Sequence, residues 1–181
     1  DNCSVSGDTR FDRVIEIAES AARIPPIEKF TAEKKTMVAG STWPVDEEVL
    51  QKTMQSIDDP SLRLIIAPHE ITSDHISQLQ KLFPDALLYS QLLQSSSFEQ
   101  TSTIDATGAE QRSNTLIIDN IGMLSRLYKY AHITYIGGGF GKGIHNTLEA
   151  AVYGKPVLFG PVHHKFNEAM DLISVGGAIS I

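Results

Sequence analysis

The stretch that most restricts the fold is residues 131–160, AHITYIGGGFGKGIHNTLEAAVYGKPVLFG. Its pattern predicts a buried strand over residues 133–136, a glycine-rich loop, a helix over residues 146–153 and a second strand over residues 156–159. The loop contains five glycines: Gly137, Gly138, Gly139, Gly141 and Gly143. A strand, a glycine loop and a helix N-terminus in this order are typical of phosphate binding in α/β proteins, because glycine lets the backbone approach a ligand closely.

The rest of the chain repeats this alternation of strands and helices. Further strands are predicted over residues 35–40, 62–67, 86–89, 115–118 and 178–181, and helices over residues 11–22, 73–82, 121–130 and 167–174 and after Pro44. Pro25 and Pro26 are expected to end the first helix. The polar, Ser/Thr-rich segment 94–114 is expected to be a surface loop. This alternation predicts an α/β fold with a Rossmann-like, doubly wound parallel sheet.

In such a sheet, ligands bind beyond the carboxyl ends of the strands. The segments predicted at those ends are residues 40–43, 67–70, 119–123 and 137–146. The sequence therefore places a candidate site where these four segments meet.

Composition excludes several classes of function. The net charge of −7 over 181 residues argues against a protein that binds nucleic acid by neutralising phosphates, so an anionic ligand must be held locally. The single cysteine, Cys3, can form no internal disulfide and no cysteine-rich metal site, which favours a reducing, cytoplasmic setting. No run of about 18 apolar residues is present, so the chain as given is expected to be soluble.

The glycine loop fits neither of the two commonest phosphate-binding motifs. A P-loop needs G-x-x-x-x-G-K-[ST], and here Ile136 stands at the first glycine and Gly143 at the Ser or Thr. The dinucleotide fingerprint G-x-G-x-x-G also fails, because its last glycine would fall on Lys142, Ile144 or Asn146.

The residues that follow the loop leave two interpretations open. Asn146 is a suitable N-cap, and Glu149 stands where a carboxylate closes a capping box. Alternatively, Glu149 accepts hydrogen bonds from two ribose hydroxyls, while glycine N–H groups and the helix dipole hold a phosphate.

Several blocks together carry a family resemblance. GGGFGKGIHNTLEAAVYGKPVLFGP, with VAGSTWPVDEEVL and VSGDTRFDRV upstream, closely resembles the C-terminal half of the 3-deoxy-D-manno-octulosonic acid (Kdo) transferases of lipid A and lipopolysaccharide biosynthesis. The resemblance covers essentially the whole chain but only about half of the family's length. It implies the C-terminal half of a GT-B glycosyltransferase.

The resemblance also implies a division of labour. Residues 1–30 would be an interdomain segment and helix, and residues 31–181 the domain that binds the donor CMP-Kdo. An N-terminal domain, absent from this chain, would bind the lipid A precursor and supply the general base, so no catalytic residue is expected here and the fragment alone is expected to be inactive. The full-length protein would be associated with the cytoplasmic face of the bacterial inner membrane.

Candidate nucleotide-sugar-binding residues follow from matching the family's motifs. Glu149 matches the acid expected on the ribose. Trp43, His69 and Met123 depart from the family, which usually has His, Arg and Glu at these positions. Ser41 and Thr42 would hold the phosphate or the Kdo carboxylate, or only cap a helix, and Lys142 would meet phosphate or remain solvated. The full set is Ser41, Thr42, Pro68, His69, Ile121, Gly122, Met123, Gly138, Gly139, Lys142, Asn146, Thr147, Leu148 and Glu149.

No cofactor is expected besides the substrate CMP-Kdo, and no metal, since His145, His163 and His164 suggest no set of three ligands with suitable geometry. Two alternatives remain at this point: the donor domain of another GT-B transferase that uses a UDP-sugar, and a non-catalytic nucleotide-binding domain, which the departures at Trp43, His69 and Met123 leave open.

Overall fold

The computed structural model describes residues 9–32, 34–57, 59–94, 102–104 and 110–181, with only the backbone described for residues 102–104 and 110–112. Its centre is a parallel sheet of seven strands in the order β3-β6-β2-β1-β7-β8-β9. The strands are β1 (Thr36–Thr42), β2 (Arg63–Pro68), β3 (Leu87–Leu88), β6 (Thr115–Ile117), β7 (Ile133–Ile136), β8 (Val157–Phe159) and β9 (Ala178–Ser180). The predicted Rossmann-like fold class is therefore confirmed.

Helices cover both faces of this sheet. They are α1 (Thr9–Glu19), α2 (Pro25–Thr31), α3 (Pro44–Ser56), α4 (Ser73–Leu82), α5 (Tyr89–Gln94), α6 (Leu124–Leu127), α7 (Leu148–Ala151) and α8 (Asn167–Ser174), with a 3-10 turn at Tyr128–Tyr130. Successive strand residues point to opposite faces. Val38 and Ile65 thus join the core beneath α2 and α6, whereas Ala39 and Ile66 join the core beneath α3 and α4.

The predicted role of the two prolines was incomplete. Helix α1 ends at Glu19, and Pro25 and Pro26 stand in the first turn of α2. Proline suits a first helical turn because its fixed φ is helical and the N–H that it lacks would have no partner there. Ile27 and Phe30 of α2 are buried in the main core.

The predicted surface loop over residues 94–114 contains two short strands that the sequence did not predict. Residues Ser102–Ile104 (β4) and Glu110–Arg112 (β5) pair as a separate antiparallel two-stranded sheet. Strand pairing is made by backbone groups, so a polar segment can form it without an apolar pattern. Residues 95–101 and 105–109 lie outside the described part of the chain.

Candidate functional site

The order of the strands defines a crevice at one point of the sheet. From β1 the chain moves to β2 on one side, whereas β7, on the other side of β1, leads to β8 further out. The loops after β1 and β7 therefore diverge, which leaves an opening between them at the carboxyl ends of the strands. This topological switch point is where open α/β sheets bind ligands.

The two loops touch backbone to backbone before they diverge. A Cβ atom placed on Gly137 would lie 2.2 Å from the carbonyl oxygen of Ser41, so only glycine fits there. The N–H of Gly137 donates to the carbonyl of Gly40 at 2.9 Å. Ser41 has a φ of 53°, in the left-handed region, and the β1–β2 register shifts at this residue. The end of β1 is thus bent towards the crevice.

A pocket of about 170 Å³ opens beside this bend. It brings together predicted site residues from three separate segments, which are Ser41, Pro68, His69, Ile121 and Gly122. Gly122 has a φ of 90° and Ile121 is 89% exposed, so the loop after β6 turns sharply and presents an apolar side chain at the rim. The polar side chain of Asn120, which the sequence interpretation did not include, also lines this pocket.

Three aromatic side chains meet at the switch point and are called the ring cluster: Trp43, His69 and His145. The His69 ring stacks on Trp43 with a centroid separation of 4.5 Å and on His145 at 4.3 Å. Trp43 and His145 lie at 16° to each other, and the indole Nε1–H donates to Nε2 of His145 at 3.1 Å. The ring cluster therefore joins the loops that follow β1, β2 and β7.

The ring cluster favours a neutral His145. Burial lowers the pKa of His145 below its ordinary value, and a charge on His69 would lower it further, against a smaller opposing influence of Asp46. Nε2 must also carry no proton in order to accept the indole N–H. At neutral pH, His145 thus contributes a flat apolar surface rather than a positive charge.

A buried carboxylate links the loops from beneath. Asp46, in the first turn of α3, is 1% exposed and accepts three hydrogen bonds. Its Oδ2 accepts the N–H groups of Trp43 and Gly138, both at 2.9 Å, and its Oδ1 accepts the hydroxyl of Tyr135 at 2.6 Å. Burial and this acceptor raise the pKa of Tyr135.

Most N–H groups of the glycine loop are already used within the protein, which corrects the expected phosphate cradle. Gly138 donates to Asp46, and a tight turn occupies two more N–H groups on the carbonyl of Gly138. The residues whose N–H groups donate internally are Gly137, Gly138, Gly141, Gly143, Ile144 and His145. As it stands, the predicted contact of the Gly138 N–H with a phosphate is therefore blocked by Asp46.

Gly139 and Lys142 differ in what they offer. Gly139 is buried, and a Cβ on it would lie 2.5 Å from the N atom of Gly160, so a side chain is excluded here by a second loop. Within the described part of the chain, the N–H of Gly139 has no hydrogen-bond partner. Lys142 is exposed at the tip of the same loop.

The Thr42 hydroxyl, predicted to contact the ligand or to cap a helix, has a hydrogen-bond partner inside the protein. Thr42 is fully buried, and its hydroxyl donates to Oε1 of Glu47 at 2.9 Å. The other carboxylate oxygen of Glu47 lies 2.9 Å from Nε2 of His75, whose Nδ1 is 2.9 Å from the carbonyl of Glu70. The Thr42 hydroxyl is thus satisfied inside the molecule, whereas the partly buried Ser41 lines the pocket.

The helix after the glycine loop is shorter than predicted and begins two residues later, at Leu148. The N-cap position is Thr147, and the Oδ1 of Asn146, one residue earlier, accepts the N–H of Leu148 at 3.0 Å. The side-chain amide of Asn146 donates to Oε1 of Glu149 at 3.2 Å. Glu149 therefore bonds to the side chain of Asn146 rather than to the backbone N–H of a capping box.

Glu149 lies in a half-buried position beside helix α1. A small void there is lined by Glu149 together with Val14 and Ile17 of α1 and Ser125 of α6. Burial raises the pKa of Glu149, against smaller lowering influences of the Asn146 amide and of Arg13. Helix α6 borders both cavities, since Ser125 lines this void and Leu124 lines the pocket beside Ser41.

Three predicted residues have buried side chains. Thr147 is fully buried and its hydroxyl has no partner among the described residues, Leu148 is 5% exposed, and Met123 is packed in the main core. For Met123 this agrees with apolar packing, whereas direct side-chain contacts of Thr147 and Leu148 with a ligand would need a local rearrangement.

Sequence reasoning did not assign roles to Asp46 and His145. Asp46 looked like an ordinary first-turn acid, and its two long-range partners are 89 and 92 residues away. His145 was weighed only as a metal ligand. Within the described residues, no group of three or more His, Cys, Asp or Glu side chains is arranged to hold a metal ion. No helix in that part of the chain is long and apolar enough to cross a membrane.

Comparisons with known proteins agree with the resemblance carried by the motifs. No protein-family model matches the chain. It is 28% identical over 145 residues to the 3-deoxy-D-manno-octulosonic acid transferase of Aquifex aeolicus, covering 78% of this chain and 36% of that protein. The transferase of Chlamydia trachomatis serovar A is 27% identical over 137 residues, covering 74% and 28%. The resemblance to this family is confirmed, and the chain spans about a third of the length of these relatives.

Solved structures show the same fold. The C-terminal CMP-Kdo binding domain of WaaA from Acinetobacter baumannii superposes with a TM-score of 0.63 at 17% identity, covering 94% of this chain and 82% of that domain. An α,α-trehalose-phosphate synthase (UDP-forming) from Burkholderia xenovorans gives a TM-score of 0.57 at 11% identity, covering 94% and 38%.

Proposed function

We propose that this chain is the donor-binding domain of a glycosyltransferase that takes Kdo from CMP-Kdo. The observation that carries this proposal is the convergence of predicted nucleotide-binding residues on one pocket at the switch point, in a chain similar to Kdo transferases. The similar fold of the CMP-Kdo binding domain of WaaA supports it.

The nucleoside is proposed to bind between the loops after β2 and β6. The pocket there is lined by Pro68 and His69 from the loop after β2 and by Ile121 and Gly122 from the loop after β6. A flat base fits between an apolar rim and backbone groups that donate or accept hydrogen bonds. The ribose is proposed to reach Glu149, whose second carboxylate oxygen is the acceptor left beside the one bonded to Asn146.

The phosphate is proposed to lie between the two touching loops. The groups proposed to hold it are the side chain of Ser41, the N–H of Gly139 and the ammonium of Lys142, none of which donates a hydrogen bond to another group in the described part of the chain. These would stabilise the charge that develops on the departing CMP phosphate, which is electrostatic stabilisation of a leaving group. This assignment replaces the wider cradle of glycine N–H groups expected from the sequence.

The remainder of the reaction is proposed to require another part of the protein. The acceptor is proposed to be a lipid A precursor, with the general base in an acceptor domain and the whole protein at the cytoplasmic face of the inner membrane, in lipopolysaccharide biosynthesis. The coverage of relatives supports this, because the matched segment is 28–36% of the two transferases compared.

A second candidate is the donor domain of a transferase that uses a UDP-sugar. The observation that favours it is the shared fold with a trehalose-phosphate synthase described as UDP-forming. The two candidates differ in the base that the pocket accepts, since cytosine presents an amino group where uracil presents a carbonyl.

Calorimetric titration of the chain with CMP and with UDP distinguishes these candidates. We expect CMP to bind at least about tenfold more tightly than UDP, which corresponds to one well-formed hydrogen bond at the base. Tighter binding of UDP would favour the second candidate. Binding of neither nucleotide would contradict the proposed function.

A further inference from the structure

Asp46 is a buried carboxylate that lies beside the candidate site. Its carboxylate is 1% exposed, so it cannot touch a ligand in the crevice. A buried charge is costly unless hydrogen bonds replace its hydration, and Asp46 receives three donors at 2.6–2.9 Å. It also lies in the first turn of α3, where the helix dipole favours a negative charge. The carboxylate is therefore well accommodated where it is.

The three donors come from parts of the chain that define the crevice. Trp43 lies in the loop after β1, Tyr135 lies on β7, and Gly138 begins the glycine loop. The two backbone N–H groups share one oxygen, Oδ2, so their separation is set by a single atom. Asp46 thus determines how the loop after β1 sits against the glycine loop.

The ring cluster depends on both of these contacts. The Trp43 N–H bond fixes the residue whose indole donates to His145. The Gly138 N–H bond fixes the backbone that packs against the same imidazole, since a Cβ on Gly138 would lie 3.3 Å from Cδ2 of His145. Both walls of the ring cluster are therefore anchored on one carboxylate.

We propose that Asp46 is a positioning residue of the nucleotide site: it holds the loop after β1 and the glycine loop in the relative placement that assembles the ring cluster beside the pocket. This proposal rests on the proposed function, because it deepens the description of the same site. Asp46 acts through Trp43 and Gly138 and makes no contact with the nucleotide itself.

The arrangement of the hydrogen bonds separates geometry from charge. In Asp46→Asn, the amide oxygen can take the place of Oδ2 and accept both N–H groups. The amide NH₂ then takes the place of Oδ1 and donates to Tyr135, whose hydroxyl is also able to accept. Asp46→Asn therefore preserves the hydrogen bonds that join the two loops, whereas Asp46→Ala leaves the N–H groups of Trp43 and Gly138 without an acceptor.

The adjacent residue provides a matched control. Glu47 is 3% exposed, but its side chain bonds to Thr42 and His75 and to neither Trp43 nor Gly138. Glu47→Gln therefore changes a buried acid of the same helix turn and leaves the hydrogen bonds from Trp43 and Gly138 to Asp46 in place. The indole of Trp43, the only tryptophan of the chain, reports directly on the ring cluster by its fluorescence.

The experiment measures three things for each variant: CMP affinity by calorimetry, Trp43 emission, and the amide NMR signals of residues 137–143. We expect Asp46→Ala to weaken CMP binding at least about tenfold, with shifted Trp43 emission and displaced loop amides. Asp46→Asn should restore binding to within about threefold of the parent chain, and Glu47→Gln should leave CMP affinity and loop amides unchanged. If Asp46→Ala does not fold, Tyr135→Phe, which removes one donor, should still shift Trp43 emission.

Two failures are distinguishable. If the unsubstituted chain does not bind CMP, the proposed function is wrong. The loop amides and Trp43 emission of the ligand-free variants still test whether Asp46 holds the two loops together. Folded Asp46→Ala protein with unchanged loop amides and CMP affinity would overturn the positioning role. So would an unchanged Trp43 emission in Tyr135→Phe, if that variant is the one that folds.

Discussion

Glu149 combines two demands that oppose each other. Glu149 accepts ribose hydroxyls most strongly when it is ionised, yet burial raises its pKa and so disfavours the carboxylate. The hydrogen bond from the Asn146 amide offsets part of this effect. A residue held in an unfavourable charge state in the free protein is a common mark of a binding site.

Replacing Glu149 with Gln separates binding from stability. We expect Glu149→Gln to weaken CMP binding about tenfold or more, because a hydrogen bond to a charged acceptor is lost. The thermal midpoint of the free protein should not fall at neutral pH, because the variant removes a half-buried charge. Calorimetry and thermal unfolding measure the two effects. Glu48→Gln, at an exposed acid of α3, is the control. Unchanged CMP affinity in Glu149→Gln would mean that Glu149 serves only the local structure.

The same residue predicts a pH dependence. Protonation of Glu149 removes its charge and weakens it as an acceptor, so CMP affinity should rise with pH above the ordinary glutamate value of 4.5. CMP itself titrates, so the difference between the parent chain and Glu149→Gln isolates the contribution of Glu149. Identical pH profiles for the two proteins would contradict this assignment.

At the scale of elements, the glycines of the glycine loop mainly allow close packing against neighbouring loops. Its glycines permit contacts with the loop after β1 and with Gly160, and most of its N–H groups donate to acceptors inside the protein, in its own turn and in neighbouring segments. This geometry agrees with the sequence of the loop, which matches neither the P-loop nor the dinucleotide-binding motif.

Two glycines of the loop should respond differently to substitution. A Cβ on Gly137 meets backbone at 2.2 Å, so Gly137→Ala should destabilise the protein by about 3 kcal/mol or more. A Cβ on Gly141 has its nearest neighbour at 3.8 Å, so Gly141→Ala should change stability by less than about 1 kcal/mol. Urea unfolding measures both. Equal losses at the two positions would show that the loops do not touch as described.

How far the sequence predicts these elements depends on how local their causes are. Helices α4 and α8 and strand β7 have the predicted bounds, because apolar periodicity and flanking turn residues specify them within a few residues. The end of α1 and the start of α2 were missed because two prolines can end one helix or begin another.

Only those parts of the candidate site that depend on local sequence signals were predictable. Strand ends located Ser41, Pro68, His69, Ile121 and Gly122, which do share a pocket. The partners of Thr42 and Gly138 were not predictable, because each donates to a buried acid and neither acid carries a local signal of its burial. Long-range bonds of this kind emerge only with the fold.

At the scale of the whole molecule, the negative net charge of the chain restricts how the site could bind an anionic nucleotide. A chain with a net charge of −7 must hold an anionic nucleotide by local groups. The switch point supplies them by bringing together segments that are more than 90 residues apart in sequence. Trp43 and His69, at which this chain departs from the pattern that the resemblance implies, both lie in the ring cluster and stack on each other.

A crystal structure of the chain with CMP is the most direct test of the central claim, that the crevice at the switch point is the nucleotide site. We predict the base between His69 and Ile121, the ribose hydroxyls within hydrogen-bond distance of Glu149, and the phosphate beside Ser41 and Gly139. CMP bound away from the carboxyl ends of β1, β2 and β7 would contradict the account.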